Sequence, residues 1–224
     1  MSISKKIDEI RGSLGSGVQL VAVSKTFPTE AVAEAYATGQ RQFGESRPQE
    51  LKAKWEALPK DIEWHMIGHL QTNKVRMILP IVSLIESLNS RRLAETIERE
   101  AARIERTVDC LLEIQLSDEE SKTGWDWSDL REFIEGGAFE SMPHIRLRGV
   151  MGIATYSDSE AIVEADFRRL RSYFEELRKR FGGEFDTVSM GMSSDYKLAM
   201  ECGSTSVRVG SYIFGGRSYA ALPK

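Results

Sequence analysis

The chain has 224 residues, 41% of them hydrophobic and 29% charged, with a formal net charge of −4; this is the balance of a folded globular protein and excludes the low-hydrophobicity signature of disorder. The acidic balance argues against nucleic acid as a partner, because binding to phosphate backbones is driven by neutralisation with Lys and Arg. No run approaches the roughly 18 apolar residues of a membrane span, and the first residues lack a signal peptide's apolar stretch, so no membrane partner and a cytoplasmic location are expected.

In chain order, residues 2–14 read as a helix ahead of the first strand. Short apolar, β-branched runs then alternate with longer amphipathic stretches, and strands are predicted at 18–23, 41–44, 63–67, 81–85, 108–114, 147–153, 187–190 and 207–209. Helices are predicted to start at Pro28-Thr29-Glu30, at Pro48, at Asn73 and at Ser90, the last running to about residue 106. Proline in a first turn and Ser or Asn as caps suit those starts. A shorter helix is predicted over 128–135, before Gly136-Gly137, and the longest over 158–180, before Gly182-Gly183; glycine takes up the left-handed conformation that closes helices. The basic run from Arg168 is interleaved with Glu175 and Glu176 and reads as a solvated helix face. Cys110 and Cys202 lack C-x-x-C spacing and read as buried free thiols.

Eight β-α units with short connections predict an α/β fold, a single (β/α)8 TIM-type barrel with an extra N-terminal helix, because closure removes both unpaired sheet edges. A doubly wound open sheet is the alternative. One domain spanning residues 1–224 is expected, the extra helix either closing the barrel bottom or taking the seat of a missing eighth outer helix.

Functional groups of such barrels gather at the carboxyl ends of the strands. Lys25 stands there, just past the first strand, where partial desolvation favours the free amine that attacks an aldehyde; a surface lysine opening a loop is the plainer alternative. After the seventh strand comes Ser189-Met190-Gly191-Met192-Ser193-Ser194-Asp195, and after the eighth Arg208-Val209-Gly210-Ser211. Small residues let backbone N–H groups approach a ligand and hydroxyls donate to it, so the two turns predict a phosphate cradle.

AVSKT around Lys25, FGES at Phe43, EWHMIGHLQTNK from Glu63, GMSSD at Gly191 and RVGSYIFGGR from Arg208 together resemble the YggS/PROSC family of pyridoxal phosphate homeostasis proteins, which is similar to the barrel domain of alanine racemase. The motifs fall in the family's order from about Val18 to Tyr219. The resemblance implies a fold type III pyridoxal phosphate barrel in which Lys25 forms an imine with the cofactor, Ser193 and Ser194 supply one phosphate-binding turn and Gly210 and Ser211 the second, and Arg208 faces the pyridine nitrogen. Ser46 stands where the family commonly has Asn, which puts a direct bond from that position to the cofactor in doubt. An arginine there cannot protonate the ring, so carbanion chemistry is weakly supported.

The resemblance thus implies a pyridoxal phosphate carrier that takes part in vitamin B6 balance, with no dedicated reaction, pyridoxal phosphate-dependent apo-enzymes as its recipients, and a monomeric state. The alternative is an amino-acid racemase, which needs a second base opposite Lys25; Tyr156 is the only nearby substitute. A third reading has the barrel bind another phosphorylated metabolite, with Lys25 structural. His65 and His69 lie on a strand end and loop with no zinc-type motif, and no metal is expected. Glu45 and Glu86 end strands and either line the mouth or serve as structural hydrogen-bonding groups. Trp125 and Trp127 are expected to pack over the rim, and Met151 and Met192 either against a cofactor or in the core.

Overall fold

Eight strands lie parallel and close on themselves in chain order: β1 (Gln19–Val23), β2 (Gln42–Glu45), β3 (Glu63–Met66), β4 (Leu84–Leu88), β5 (Val108–Glu113), β6 (Ile145–Met151), β7 (Thr187–Ser189) and β8 (Ser206–Val209). The structure is a computed structural model and describes residues 1–117 and 123–215; Lys122, the Gly216-Arg217 end of the RVGSYIFGGR motif and its continuation to Tyr219 lie outside the described residues. Closure is made by β1 against β8, with Val21 opposite Arg208 and Ala22 opposite Val209. The predicted barrel is therefore the observed one, and the open sheet is not.

Around the barrel run α1 (Ile3–Ser13), α2 (Thr29–Ala37), α3 (Pro48–Ala57), α4 (Val75–Ile78), α5 (Arg91–Ala102), α6 (Trp127–Glu135), α7 (Glu160–Phe181), α8 (Tyr196–Glu201) and α9 (Ser211–Phe214). Asn73 sits inside a short 3-10 turn, Thr72–Lys74, and α4 starts at Val75 without a side-chain cap. Ser90 caps α5 as expected, its Oγ accepting from the Leu93 N–H at 3.3 Å, whereas α6 is capped by Asp126, ahead of the predicted start at 128, its carboxylate accepting from the N–H groups of Ser128 and Asp129. Each such cap is worth about 1 kcal/mol. In α7 the spacing of Val163, Phe167, Leu170, Phe174 and Leu177 turns one apolar stripe to the sheet, and all five are buried. None of the described helices is long and apolar enough to cross a membrane.

Helix α1 takes the second of its two predicted seats. Its Lys6 Nζ donates to the Ile213 carbonyl at 3.2 Å and Glu9 accepts from the Tyr212 hydroxyl at 2.6 Å, both on α9; Arg11 donates to the Thr38 carbonyl and the Gln40 side chain at 2.9 Å, beside α2. It fills the outer ring between α2 and α9, where the helix following β8 has only one turn. That turn was not predicted, because four residues are too few for periodicity to register.

Two strands differ from the sequence reading in their frame. The run 81–85 predicts β4 there, yet Ile81 and Val82 donate back to the Ile78 carbonyl at 2.9 and 2.8 Å, completing the end of α4, and pairing starts only at Ser83 with the Trp64 carbonyl. Strand β6 begins at Ile145 and carries a bulge: Cys110 pairs with Leu147 but Leu111 with Gly149, leaving Arg148 as the extra residue. Glycine is required there, since a Cβ on Gly149 would stand 1.8 Å from the Thr187 carbonyl oxygen of β7.

Candidate functional site

At the carboxyl end of the barrel, on the seam between β1 and β8, lies a cavity of about 300 Å³. Its wall includes Lys25, Ser193, Ser194, Arg208, Gly210 and Ser211, so the six residues singled out in the sequence face one space; Val23, Phe27, Ile67, Ile153 and Met192 supply the apolar part. Alternation along β1 explains the placement of Lys25: Val23 and Lys25 turn to the lumen, whereas Ala22 and Ser24 turn to the helices. Lys25 is half-buried and, like Val23, forms part of the cavity wall.

The two glycine-serine turns meet. The Gly210 N–H donates to Ser193 Oγ at 3.2 Å, and the Arg208 N–H donates to the Gly191 carbonyl at 2.9 Å, tying the turn after β7 to β8. Within that turn the Asp195 carboxylate accepts from the Met192 N–H at 2.5 Å. Gly210 lies against β1: a Cβ there would come 3.0 Å from the Val23 carbonyl oxygen and 3.1 Å from Val23 Cβ, so a side chain would push the second turn away from the strand that carries Lys25. This cradle of small residues, backbone N–H groups and hydroxyls suits an anion of phosphate size.

Beneath it, a chain of buried polar groups crosses the lumen. Arg208 Nη1 donates to Ser189 Oγ at 2.5 Å and Nη2 to the Gly152 carbonyl at 2.9 Å, and its guanidinium is 3.7 Å from Glu86. Glu86 in turn accepts from the Ser189 hydroxyl at 2.6 Å and shares a 2.7 Å hydrogen bond with His65 Nδ1. Burial pushes the Glu86 carboxyl up, but the His65 hydrogen bond, the His65 and Arg208 charges and the Ser189 hydroxyl outweigh it and hold it below its ordinary value. For Arg208 burial dominates and lowers its value, opposed by the charges of Glu86, Glu113 and Asp195. Position and orientation of this guanidinium are thus set by three strands at once.

Sequence reasoning missed how Lys25 is presented. The residues Ser24 to Phe27 form a β-turn, closed by the Phe27 N–H to the Ser24 carbonyl at 3.1 Å. Its third residue, Thr26, has φ +68°. A β-branched residue is a poor occupant of that left-handed region, and such strain costs on the order of 1–3 kcal/mol. On the helix side, α3 meets the turn: Glu50 Oε2 accepts from the Thr26 N–H at 2.9 Å, while Lys54 Nζ donates to the Ser24 carbonyl at 2.7 Å and to Glu45 Oε1 at 2.6 Å. The Ser24 hydroxyl donates to the same Glu45 oxygen at 2.6 Å. Burial pushes the Glu45 carboxyl up by more than Lys54 and Ser24 lower it. A signal for Lys54 did exist: it falls on the buried stripe of Pro48 and Leu51, an odd place for a lysine unless it is paired.

The other residues weighed in the sequence have plainer places. Glu45 and Glu86 are fully buried hydrogen-bonding groups and line no part of the cavity. His69 contacts the Asn89 amide at 3.3 Å, and no group of three or more His, Cys, Asp or Glu side chains gathers among the described residues. Trp125 is buried, donates to the Leu88 carbonyl and stacks on Phe133, and Trp127 stacks on Tyr173 with centroids 3.9 Å apart. Met151 is in the core while Met192 lines the cavity. Tyr156 is 94% exposed and Ser46 half-buried, and neither lines the cavity. Both cysteines are buried free thiols.

Comparison with known proteins follows the same lines. The sequence profile of the alanine racemase N-terminal domain matches residues 2–218. The pyridoxal phosphate homeostasis protein of Aquifex aeolicus is 39% identical over 202 residues, 90% of this chain and 88% of that protein, and that of Escherichia coli 36% identical over 208 residues, 91% and 87%. The structure of PipY from Synechococcus elongatus with PLP bound superposes with a TM-score of 0.88 at 38% identity, covering 96% of this chain and all of PipY. Alanine racemase from Bartonella henselae shares the fold, with a TM-score of 0.71 at 15% identity, 96% of this chain matching 60% of the enzyme.

Proposed function

Since the chain belongs to the pyridoxal phosphate homeostasis protein family, built on the alanine racemase N-terminal barrel, we propose that it binds pyridoxal phosphate through Lys25 and takes part in intracellular vitamin B6 balance without a dedicated reaction of its own. The observation that carries this reading is one cavity holding Lys25 on the β1 side and two mutually hydrogen-bonded turns on the β8 side. When bound, the cofactor supplies an aldehyde that condenses reversibly with a primary amine. The residues present suit that group: a half-buried lysine, a small-residue anion cradle that a Cβ at position 210 would crowd, and an apolar wall of Val23, Ile67 and Met192 for a ring.

Ser193, Ser194, Gly210 and Ser211 hold the phosphate, and Lys25 holds the aldehyde carbon. Arg208 presents an N–H to the pyridine nitrogen and keeps its own proton, because a guanidinium so placed is a donor of hydrogen bonds and not of protons. An unprotonated ring withdraws electrons poorly, which suits storage better than carbanion chemistry. A reversible bond to one lysine also suits delivery in the cytoplasm to pyridoxal phosphate-dependent apo-enzymes, from a monomeric barrel of one domain.

The test is an absorption spectrum of the purified protein after addition of pyridoxal phosphate, then borohydride reduction and mass analysis. The protein is expected to show the visible band of a lysine imine and to carry the reduced adduct on Lys25; Lys25→Ala is expected to lose both. An unchanged band with label on a different residue would remove Lys25 from its role, and no band in either protein would refute the binding assignment.

A further inference from the structure

The turn that presents Lys25 is strained, and α3 grips it on both sides of that residue. Glu50 and Lys54 are four apart on one helix face, so a single rigid element reaches the Thr26 N–H and the Ser24 carbonyl at 2.9 and 2.7 Å. Lys54 is 6% exposed and its Nζ also meets the buried Glu45 at 2.6 Å, while Glu50 lies 4.0 Å away. Burying a lysine is costly, and a buried ion pair is often no better for stability than an apolar pair of similar volume. A lysine sunk here is therefore poorly explained by stability alone. What it does that an apolar residue cannot is hold the carbonyl of the residue before Lys25 with a charged donor.

We propose that Lys54, seated by Glu45 and aided by Glu50, is a positioning residue that fixes the turn from Ser24 to Phe27 and so aims the Lys25 amine into the cavity. It acts through the backbone: Lys54 lies on the helix side of the barrel wall and is not part of the cavity lining. The phosphate cradle is built from other segments, residues 191–195 and 210–211. Loss of the grip therefore separates two properties, leaving anchorage of the phosphate intact and impairing bond formation at Lys25. This inference rests on the pyridoxal phosphate reading above.

The experiment uses the full chain with Lys54→Met, and with Lys54→Met combined with Glu45→Gln so that no unpaired charge is left buried if the single variant fails to fold. Folding is verified by circular dichroism and thermal melting. Affinity is measured by calorimetry for pyridoxine phosphate, which has the phosphate but an alcohol in place of the aldehyde. The rate of imine formation with pyridoxal phosphate is followed by absorbance, and its site by borohydride trapping and mass analysis. The expected result is pyridoxine phosphate affinity within about twofold of the parent and imine formation at Lys25 slowed by roughly tenfold or more, the scale of losses from small misplacements of a reacting group. An unchanged imine rate overturns the proposal, as does a fall of both quantities in equal proportion, which is what a merely structural lysine would produce. Absence of the imine in the parent protein itself would instead bring down the Lys25 assignment, and the positioning role with it.

Discussion

Replacing Arg208 by Lys keeps the charge and nearly the length, and the structure specifies what is lost. The guanidinium spans two acceptors at once, Ser189 Oγ on β7 and the Gly152 carbonyl past β6, and stands 3.7 Å from Glu86 on β4. An ammonium is a compact group on a flexible stem and cannot reproduce that fork. If it stays near Glu86 and Ser189, the Gly152 carbonyl, which is buried, loses its donor; an acceptor left unsatisfied costs about 1–3 kcal/mol. Ser189 itself still donates to Glu86, so only one of the two hydrogen bonds needs to be counted. A cost of about 2 kcal/mol lowers the melting temperature of a domain of this size by roughly 4–8 °C. The assay is thermal unfolding of the cofactor-free protein at neutral pH. A melting temperature within about 1 °C of the parent would refute the view that this side chain ties the strands together, since one buried hydrogen bond cannot vanish without a trace on that scale.

Gly149→Ala is expected to cost at least about 3 kcal/mol, because its Cβ would overlap the Thr187 carbonyl, and a parent-like denaturation midpoint would contradict the bulge geometry. Ser193→Ala should weaken pyridoxal phosphate by roughly tenfold to a hundredfold, the worth of a hydrogen bond to a charged group, with little change in affinity for unphosphorylated pyridoxal by calorimetry. Glu86 and Glu45 shift in opposite directions from an ordinary 4.5, so their effects on stability run oppositely with pH. The lowered Glu86 contributes stability that is full above 4.5 and is lost as pH falls through its folded value; the raised Glu45 contributes most below 4.5 and loses that as pH rises through its folded value. Subtracting the denaturation profile of Glu86→Gln from that of the parent should thus leave a difference that shrinks towards acid, while Glu45→Gln should leave one that shrinks as pH rises above 4.5.

Most strands and helix starts were legible because they rest on local rules: β-branched runs, the Ser90 cap, a proline in a first turn, a glycine past a helix end. The turns at 191–195 and 210–211 were legible for the same reason. Strand β4 was not, because Glu86 and Ser87 are polar yet buried, so the hydrophobic run at 81–85 pointed three residues early. Glu50 was missed because a charged residue on a helix ordinarily faces water; Lys54 falls on the buried stripe of Pro48 and Leu51, but only the tertiary arrangement brings it to the Ser24 carbonyl. Thr26 gave no warning either, since nothing in a threonine announces a positive φ.

Closure of the sheet was equally beyond periodicity, because an open doubly wound sheet would show the same alternation, and yet the site depends on it. In a doubly wound sheet the first strand is internal and the last lies at an edge. Lys25 on one and Gly210 on the other would then be separated by intervening strands. Here β1 pairs with β8 along four residues, and Gly210 sits so close to Val23 that a methyl group would crowd its carbonyl. The seam that removes the two edges is the same seam that brings Lys25 and Gly210 to one cavity. The close approach at Gly210 therefore says more about function than the count of strands does.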